Sequence, residues 1–274
     1  MGLLTHKRPA PPLSDFVDVL WLHQGHEATH GKERLLPDGT VELVINLRED
    51  RIPVYDPWNP EQFHTIPGCV VSGPRSEFFV IDTASAASTI GVHFKPGGAF
   101  PFFRVPPAEL SNQSVALEAL WGEGSARLRE RLLMASTPEE RFRVLECCLL
   151  EQLAKPLERH PAVLFALQQF GPSQCPRSIS HVADAVGFSH RHFIQLFCNE
   201  VGLTPKLFSR VSRFQKVVRA THALGEIDCA QVALDCGYYD QAHFNHDFYG
   251  FAGITPLEYL ERKTAHVNHV PMER

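Results

Sequence analysis

Along the first hundred residues, apolar and polar side chains alternate in short runs. The clearest run, at residues 41–47, has an apolar residue at every second position and follows the turn-forming residues 37–39. The same pattern returns at residues 68–73, 77–81 and 90–94, with proline or glycine between the runs. Period-two alternation bounded by turn signals predicts strands, and short strands of this kind are typical of an antiparallel sandwich or small barrel.

The spacing of apolar residues becomes helical from about residue 108 to 154. Leucine and phenylalanine then recur every three or four positions, with a break at residues 137–140. Thr137 and Glu140 have the spacing of a capping box, and Pro138 would occupy the first helical position. We expect two helices here, packed on the sheet or forming a subunit contact.

A turn-rich stretch at residues 171–176 marks the predicted domain boundary, and everything after it has helical spacing. The chain has 274 residues, enough for two domains of ordinary size. We therefore predict an α+β protein. Residues 1–170 would form a β-rich sandwich or barrel-like domain with a helical C-terminal part, and residues 171–274 an all-α domain.

The C-terminal domain contains an internal duplication. The pattern Ala-x-x-x-Gly-aromatic at residues 183–188 returns at residues 233–238, and the His-Phe and Gly-x-Thr-Pro pairs that follow also return. Gly187 and Gly237 would each end a first helix (179–186 and 228–236) with a positive-φ turn. A second helix would begin after Ser189 or Asp240, both good N-caps.

This order of elements predicts two helix-turn-helix motifs, whose second helix enters the major groove of DNA. Phenylalanines would form the inward side of each second helix. The outward sides carry Arg191, Gln195 and Asn245, whose hydrogen-bonding groups suit the edges of guanine and adenine.

One long helix is predicted between the two motifs, over residues 205–223. Its five charged residues, leaving histidine aside, are all basic: Lys206, Arg210, Arg213, Lys216 and Arg219. Such a surface would attract phosphates and make binding dependent on salt. A rigid helix of this length could also hold two recognition helices about one DNA turn apart.

The motifs that carry a family resemblance are Ile179-x-x-Val182-Ala183, Gly187-Phe188-Ser189, Phe193-x-x-x-Phe197, residues 237–244, Phe248 and residues 253–259. Together they resemble the AraC family of bacterial transcription regulators over about residues 175–263. In that family a linker helix joins two helix-turn-helix motifs that sit in successive major grooves. The base-reading residues implied by this resemblance are His190, Arg191, Ile194, Gln195, Gln241, Ala242, Asn245 and His246.

Ile194 and Ala242 have no hydrogen-bonding side chain, so they could make only apolar contacts with bases. Other residues are expected to contact phosphates or to position the recognition helices. These are Ser189, His192, Lys206, Arg210, Arg213, Asp240 and His243.

The N-terminal half resembles a sensor domain that precedes this module in some members of the family. The segments that carry this resemblance are residues 36–47, 72–75 and 91–99. It implies a domain that senses a small molecule or another signal, without indicating which. Asp38, Glu42, Arg75 and His93 are candidates for lining its pocket, and they could equally be turn and surface residues.

Charge leaves an alternative open. The net charge of −5 excludes a basic surface over the whole chain, so any contact with DNA must be local. Residues 175–264 contain as many acidic as basic residues, which keeps alive a protein-interaction adaptor that does not bind DNA. A third interpretation is an enzyme fused to a DNA-binding module, but none of the common nucleophile, P-loop, zinc-protease or dinucleotide motifs occurs, and we expect no enzyme.

The remaining expectations concern partners and location. No signal peptide, apolar membrane span or paired cysteine spacing is evident, which indicates a cytoplasmic protein. His23, His26 and His30 could suggest a metal, but loop histidines without further ligands seldom bind one, so we expect neither metal nor cofactor. The expected partners are double-stranded operator DNA, a small-molecule effector, a second copy of the chain and, for an activator, RNA polymerase; none is a membrane.

Overall fold

The computed structural model of the protein describes residues 3–25, 31–171, 178–223 and 229–272. Within these residues the N-terminal half is rich in strands and the C-terminal half in helices, which confirms the predicted α+β class. The strands of the N-terminal half are β1 (Leu3–Lys7), β2 (Val17–Gln24), β3 (Lys32–Leu35), β4 (Glu42–Asn46), β5 (Arg51–Tyr55), β6 (Phe63–Pro67), β7 (Cys69–Ser72), β8 (Phe79–Asp82), β9 (Ser88–Phe94) and β10 (Ser114–Ala116).

Helices follow from residue 117 onward. They are α1 (Leu117–Trp121), α2 (Glu123–Met134), α3 (Pro138–Glu151), α4 (Pro161–Phe170), α5 (Ile179–Ala185), α6 (His190–Val201), α7 (Pro205–Ala223), α8 (Cys229–Asp235), α9 (Gln241–Ala252) and α10 (Pro256–Arg262), and a last strand, β11 (His269–Pro271), comes after them. The predicted capping box is present: the Thr137 side chain accepts a hydrogen bond from the Glu140 amide at the start of α3. The predicted helix start at Asp228 lies outside the described residues.

The strands form two antiparallel sheets. One has the order β1-β2-β9-β4-β7-β10 and the other the order β11-β3-β8-β5-β6. The alternation in β4 explains how the first sheet is used, since successive side chains of a strand point to opposite faces. Leu43 and Ile45 are fully buried in the core shared with α1, α2 and α3, whereas Glu42, Val44 and Asn46 face the second sheet.

The helical half has its own apolar core, centred on α7. Val211, Phe214, Val217 and Val218 of this helix are fully buried and pack against the phenylalanines of α6 and α9. Helix α4 also belongs to this core through buried residues such as Ala166. The predicted boundary at residue 171 assigned α4 to the N-terminal domain, so we propose that the division between the domains lies before α4.

The two halves are packed closely together through turns of the first sheet. The turn that contains Gly39 lies against α7 and the residues just before that helix. A β-carbon added to Gly39 would be 3.3 Å from both Leu203 and Val211. The approach is closer still at Gly202, at the end of α6, where an added β-carbon would clash with Pro74 of the turn after β7. Both turns belong to the segments that carried the sensor-domain resemblance, so these segments form the domain interface.

Candidate nucleic-acid interface and ligand cavity

The two helix-turn-helix motifs are built by the same local interactions. Gly187 and Gly237 have φ of 74° and 82°, as their predicted turns require. The amide of the following aromatic residue donates a hydrogen bond to the carbonyl of the alanine in the first helix. This bond is 3.0 Å from Phe188 to Ala183 and 2.9 Å in the second copy. The duplication seen in the sequence is therefore a duplication of structure.

The predicted N-caps are also confirmed. The Ser189 hydroxyl accepts from the amide of His192 at 3.3 Å, and Asp240 Oδ1 accepts from the amide of His243 at 2.7 Å. Each second helix is anchored by fully buried phenylalanines, such as Phe193 in α6. These contacts orient the recognition helices by their inward sides and leave their outward sides available.

Most of the predicted base-reading residues lie on those outward sides. His190, Arg191 and Gln195 of α6 are exposed, and so are Gln241, Ala242, Asn245 and His246 of α9. The Gln195 side chain donates a 2.8 Å hydrogen bond to Asn199 Oδ1 within α6, so two amides form one polar group. Ile194 differs from the prediction because it is half-buried and packs against the C-terminal core.

The basic stripe of α7 has partners that the sequence did not reveal. Arg210 and Arg213 form ion pairs with the two carboxylate oxygens of Asp247 in α9, at 2.7 and 3.3 Å. Lys216 Nζ donates to the Asp235 carbonyl at 2.8 Å. The prediction that Arg210 and Arg213 serve phosphates omitted this role: they hold the second recognition helix. Lys206 is exposed.

Asp247 is the functional residue that the sequence reasoning missed. It is 3% exposed and lies on the inward side of α9, one helical turn from Phe244 and Phe251. The sequence could have revealed this residue through its inward position on the helix, because a buried carboxylate requires cationic or hydrogen-bonding partners. In the fold these partners are the two arginines of α7 and, one turn away on α9, His243, whose Nε2 lies 3.8 Å from Asp247 Oδ2.

The N-terminal domain also approaches the second recognition helix. The Trp58 ring, between β5 and β6, lies 6.3 Å from the Tyr249 ring of α9 and 5.0 Å from Phe78. Tyr249 remains half exposed. The C-terminal part of α9 is thus in contact with the domain that precedes it.

A cavity of about 300 Å³ lies between the two sheets. Its walls are mostly apolar, which is typical of small-molecule sites. The apolar wall includes Val44, Ile52, Val54, Ile66, Val70, Phe79 and Ile81. Polar groups at its edge include Glu33, Glu42, Asp82 and the imidazoles of His6, His23, His266 and His269.

Of the four residues predicted to line a pocket, only Glu42 borders this cavity, where it accepts a 2.8 Å hydrogen bond from Trp21 Nε1. Asp38 and His93 are instead paired, with 3.4 Å between Oδ2 and Nε2. They brace the turn that packs on α7 and do not line this cavity.

Arg75 does not line this cavity either. Its guanidinium lies 4.0 Å from the centre of the Phe79 ring and donates a 2.7 Å hydrogen bond to Ser114 Oγ. It ties the turn after β7 to β10 and to the residues before it, and burial lowers its pKa to about 10. Its role here is structural.

The charge state of His93 follows from its neighbours. Burial works against the charged imidazolium, but the carboxylates of Asp38, Glu42 and Asp18 outweigh this effect and raise the pKa of His93 to about 9. At neutral pH the ring is therefore a cation between acids, and the turn it braces is held by charge as well as by packing.

Two further findings concern the part of the chain that the structure describes. No group of three or more potential ligands in it is placed to hold a metal ion, and no helix in it is long and apolar enough to cross a membrane. His23 borders the cavity, while His26 and His30, the other histidines of the metal hypothesis, lie outside the described residues.

Two family models match separate parts of the chain. Residues 5–116 match the family described as "Domain of unknown function (DUF6597)", and residues 182–262 match the family described as "Helix-turn-helix domain". No curated protein matches the sequence.

Solved structures of regulators are similar to the chain. An AraC-type transcriptional regulator from Chromobacterium violaceum has 23% identity and a TM-score of 0.34, over 38% of this chain and 94% of that one. The C-terminal domain of the response regulator AraT from Geobacillus stearothermophilus has 19% identity and a TM-score of 0.34, over 39% and 89%. ToxT from Vibrio cholerae has 11% identity and a TM-score of 0.40, over 97% and 98%.

The duplicated motif, its exposed polar faces and the family match over residues 182–262 define the class of the protein, which is a DNA-binding transcription regulator. The linker helix that joins the two motifs bears out the resemblance found in the sequence. A β-rich domain, which includes the match to the family of unknown function, precedes this helix-turn-helix domain in the chain.

Proposed function

We propose that this regulator responds to a small, mostly apolar effector that occupies the cavity between the two sheets. One observation carries the proposal: strands β4 and β7, which line the cavity, lead directly into the turns that pack on the DNA-binding domain. A ligand in the cavity would contact these strands, and its effect would reach α6 and α7 through the packing contacts of the two turns. A volume of about 300 Å³ suits a small ligand.

The DNA-reading roles are part of the same proposal. The first recognition helix would read bases through His190, Arg191 and Gln195, with Ile194 limited to an apolar contact at the edge of the helix. The second would read them through Gln241, Ala242, Asn245 and His246. Phosphates would be met by Lys206 and by the N-terminal turns of α6 and α9, where Ser189, His192, Asp240 and His243 lie.

Sequence-specific binding is tested by selecting bound fragments from random double-stranded DNA at two salt concentrations. We expect one enriched motif with two half-sites about one helical turn apart, and weaker binding at the higher salt concentration. A protein-interaction adaptor would enrich no motif, and that result would overturn the proposal.

The cavity is tested with the neutral fluorescent probe N-phenyl-1-naphthylamine. We expect saturable binding to the full chain, because the probe gains fluorescence in apolar sites of this size. Val44→Trp places a large side chain in the cavity and should abolish binding, whereas Arg48→Trp, on the exposed turn after β4, should bind as the natural chain does. Equal binding by all three proteins would place the probe elsewhere and remove the cavity from the proposal.

A second copy of the chain and, for an activator, RNA polymerase remain proposed partners. A dimer would bring two DNA-binding domains to a site with two-fold symmetry, which raises affinity through the combined contacts. Light scattering over a range of protein concentrations, with and without the selected DNA, measures the assembly. A monomer mass in every condition would rule the dimer out.

A further inference from the structure

After α10 the chain runs back across the N-terminal domain. Residues 264–272, which we call the C-terminal tail, contain β11, whose His269 pairs with Leu35 of β3. Two backbone hydrogen bonds frame the strand: the Leu36 amide donates to the Asn268 carbonyl at 2.9 Å, and the Met272 amide donates to the Lys32 carbonyl at 3.0 Å. The tail is therefore the outer strand of the sheet that forms one side of the cavity.

One side of the tail faces the cavity. His266 and His269 both line it, with 5.5 Å between their ring centres. His269 Nδ1 lies 2.8 Å from Oε2 of Glu33, a cavity residue that is only 8% exposed. A ligand in the cavity thus meets imidazole and carboxylate groups that belong jointly to the tail and to β3.

The other side of the tail faces the linker helix. Val270 is buried in the C-terminal core, and Asn268 Oδ1 accepts a 3.0 Å hydrogen bond from Gln215 of α7. The same amide nitrogen of Gln215 donates to the Pro37 carbonyl at 2.8 Å. Gln215 is 4% exposed, so one buried side chain of the linker helix joins the tail to the turn before β4.

We propose that the C-terminal tail is part of the effector site and carries its occupancy to the linker helix. This rests on the proposed function, because it assigns the ligand to the same cavity. The ligand is a small apolar molecule with one hydrogen-bonding group directed at His269 and Glu33. Its binding moves or steadies β11, and Gln215 and Val270 pass that change to α7.

A reversible covalent lock tests the coupling. Lys32 and Met272 are opposite each other at the end of the same antiparallel pair, where the Met272 amide donates to the Lys32 carbonyl, and the Cα separation of about 5.5 Å in such hydrogen-bonded pairs suits a disulfide. The variant Lys32→Cys/Met272→Cys, studied reduced and oxidised, fixes the tail on β3 without changing a residue that lines the cavity. The matched control is Tyr55→Cys/Phe63→Cys, an opposite pair in the same sheet that does not line the cavity.

The measurement is the affinity for the selected DNA with and without saturating N-phenyl-1-naphthylamine. We expect the probe to change DNA affinity by about fivefold or more, which is the size of ordinary allosteric coupling. This change should appear in the natural chain, in the reduced variant and in both forms of the control. The oxidised tail variant should still bind the probe, but its DNA affinity should no longer respond.

Contact with the tail has its own readout. His269→Ala should weaken probe binding about fivefold, which corresponds to roughly 1 kcal/mol, whereas Met272→Ala, in the same tail and outside the cavity, should leave it unchanged.

The outcomes separate the two proposals. Absence of saturable probe binding, or binding that Val44→Trp leaves intact, overturns both. If the probe binds and still changes the DNA affinity of the oxidised tail variant, only the role of the tail is overturned. The coupling would then be assigned to the turn at residues 37–39. Probe binding without a DNA response in any form also overturns the role of the tail, while the DNA-binding function stands.

Discussion

Arg210 Nη2 on the linker helix lies 2.7 Å from Oδ1 of Asp247 on the second recognition helix, and Asp247 is almost completely buried. Arg213 takes the other carboxylate oxygen, so one acid is held by two cations of the same helix. The angle between the linker and the recognition helix is thus set by charge as well as by apolar packing. Two of the basic residues that resembled a phosphate-binding stripe serve this purpose.

Replacing Asp247 with asparagine should destabilise the DNA-binding domain. The two guanidinium groups would lose their counter-charge in a partly buried position, and we expect the free energy of unfolding to fall by about 2 kcal/mol. Urea unfolding measures this. Asp184→Asn, an exposed acid of the first motif, is the control and should change it by less than about 0.5 kcal/mol. Equal midpoints for the two variants would show that the pair adds nothing to stability.

Arg191→Ala should weaken binding to the selected DNA by about 1–3 kcal/mol and relax the preference at one base pair. The reason is that an arginine that reads a base forms hydrogen bonds that the other bases do not offer. Lys206→Ala should weaken binding to selected and random DNA alike and lower the salt dependence by about one phosphate contact. Titrations of both DNAs at several salt concentrations separate the two patterns. The same loss for Arg191→Ala on both DNAs would make Arg191 a phosphate contact.

The glycine of the second motif offers a test of its turn. Gly237 has φ of 82°, and an added β-carbon would meet no atom within 4 Å, so Gly237→Ala adds backbone strain without a clash. We expect a loss of about 1–2 kcal/mol in unfolding free energy. Gly250→Ala, in the exposed part of α9 with equal space, should instead stabilise the helix by about 0.5–1 kcal/mol. Two changes of the same sign would contradict the assigned turn.

The charged brace around His93 predicts a dependence on pH. Its pKa is raised from 6.5 to about 9 in the folded protein, so its stabilisation is fully present below about pH 6.5 and is lost as the pH rises through about 9. We expect the loss to be roughly 2 kcal/mol over this interval. His93→Gln should flatten that part of the curve, and the difference between the two chains isolates His93 from other titrating groups. Parallel curves would show that His93 is not charged in the fold.

Much of the helical domain follows from short stretches of sequence. The glycine turns, the caps at Ser189 and Asp240 and the buried phenylalanines were predicted correctly, because each depends on residues within one or two helical turns of each other. The strand at residues 42–46 was equally predictable from its alternation, including which side chains share a face.

Contacts between distant parts of the chain were beyond such patterns. Asp38 and His93 have the polarity of pocket residues, yet the fold uses them as a brace, and the cavity is lined by side chains that looked like ordinary strand residues. The boundary that we propose before α4 was beyond such patterns for the same reason, because the apolar residues of α4 show a helix without showing which core they enter.

The sequence by itself determined the duplicated motif, the polarity of its faces and thereby the class of the protein, since local periodicity and turn chemistry encode these directly. Only the tertiary structure decided which basic residues of α7 face a buried acid, where the cavity lies and that residues of the C-terminal tail line it. Those features join residues far apart in the chain, such as Glu33 with His269, and their pairing depends on how two sheets and a helical core pack together.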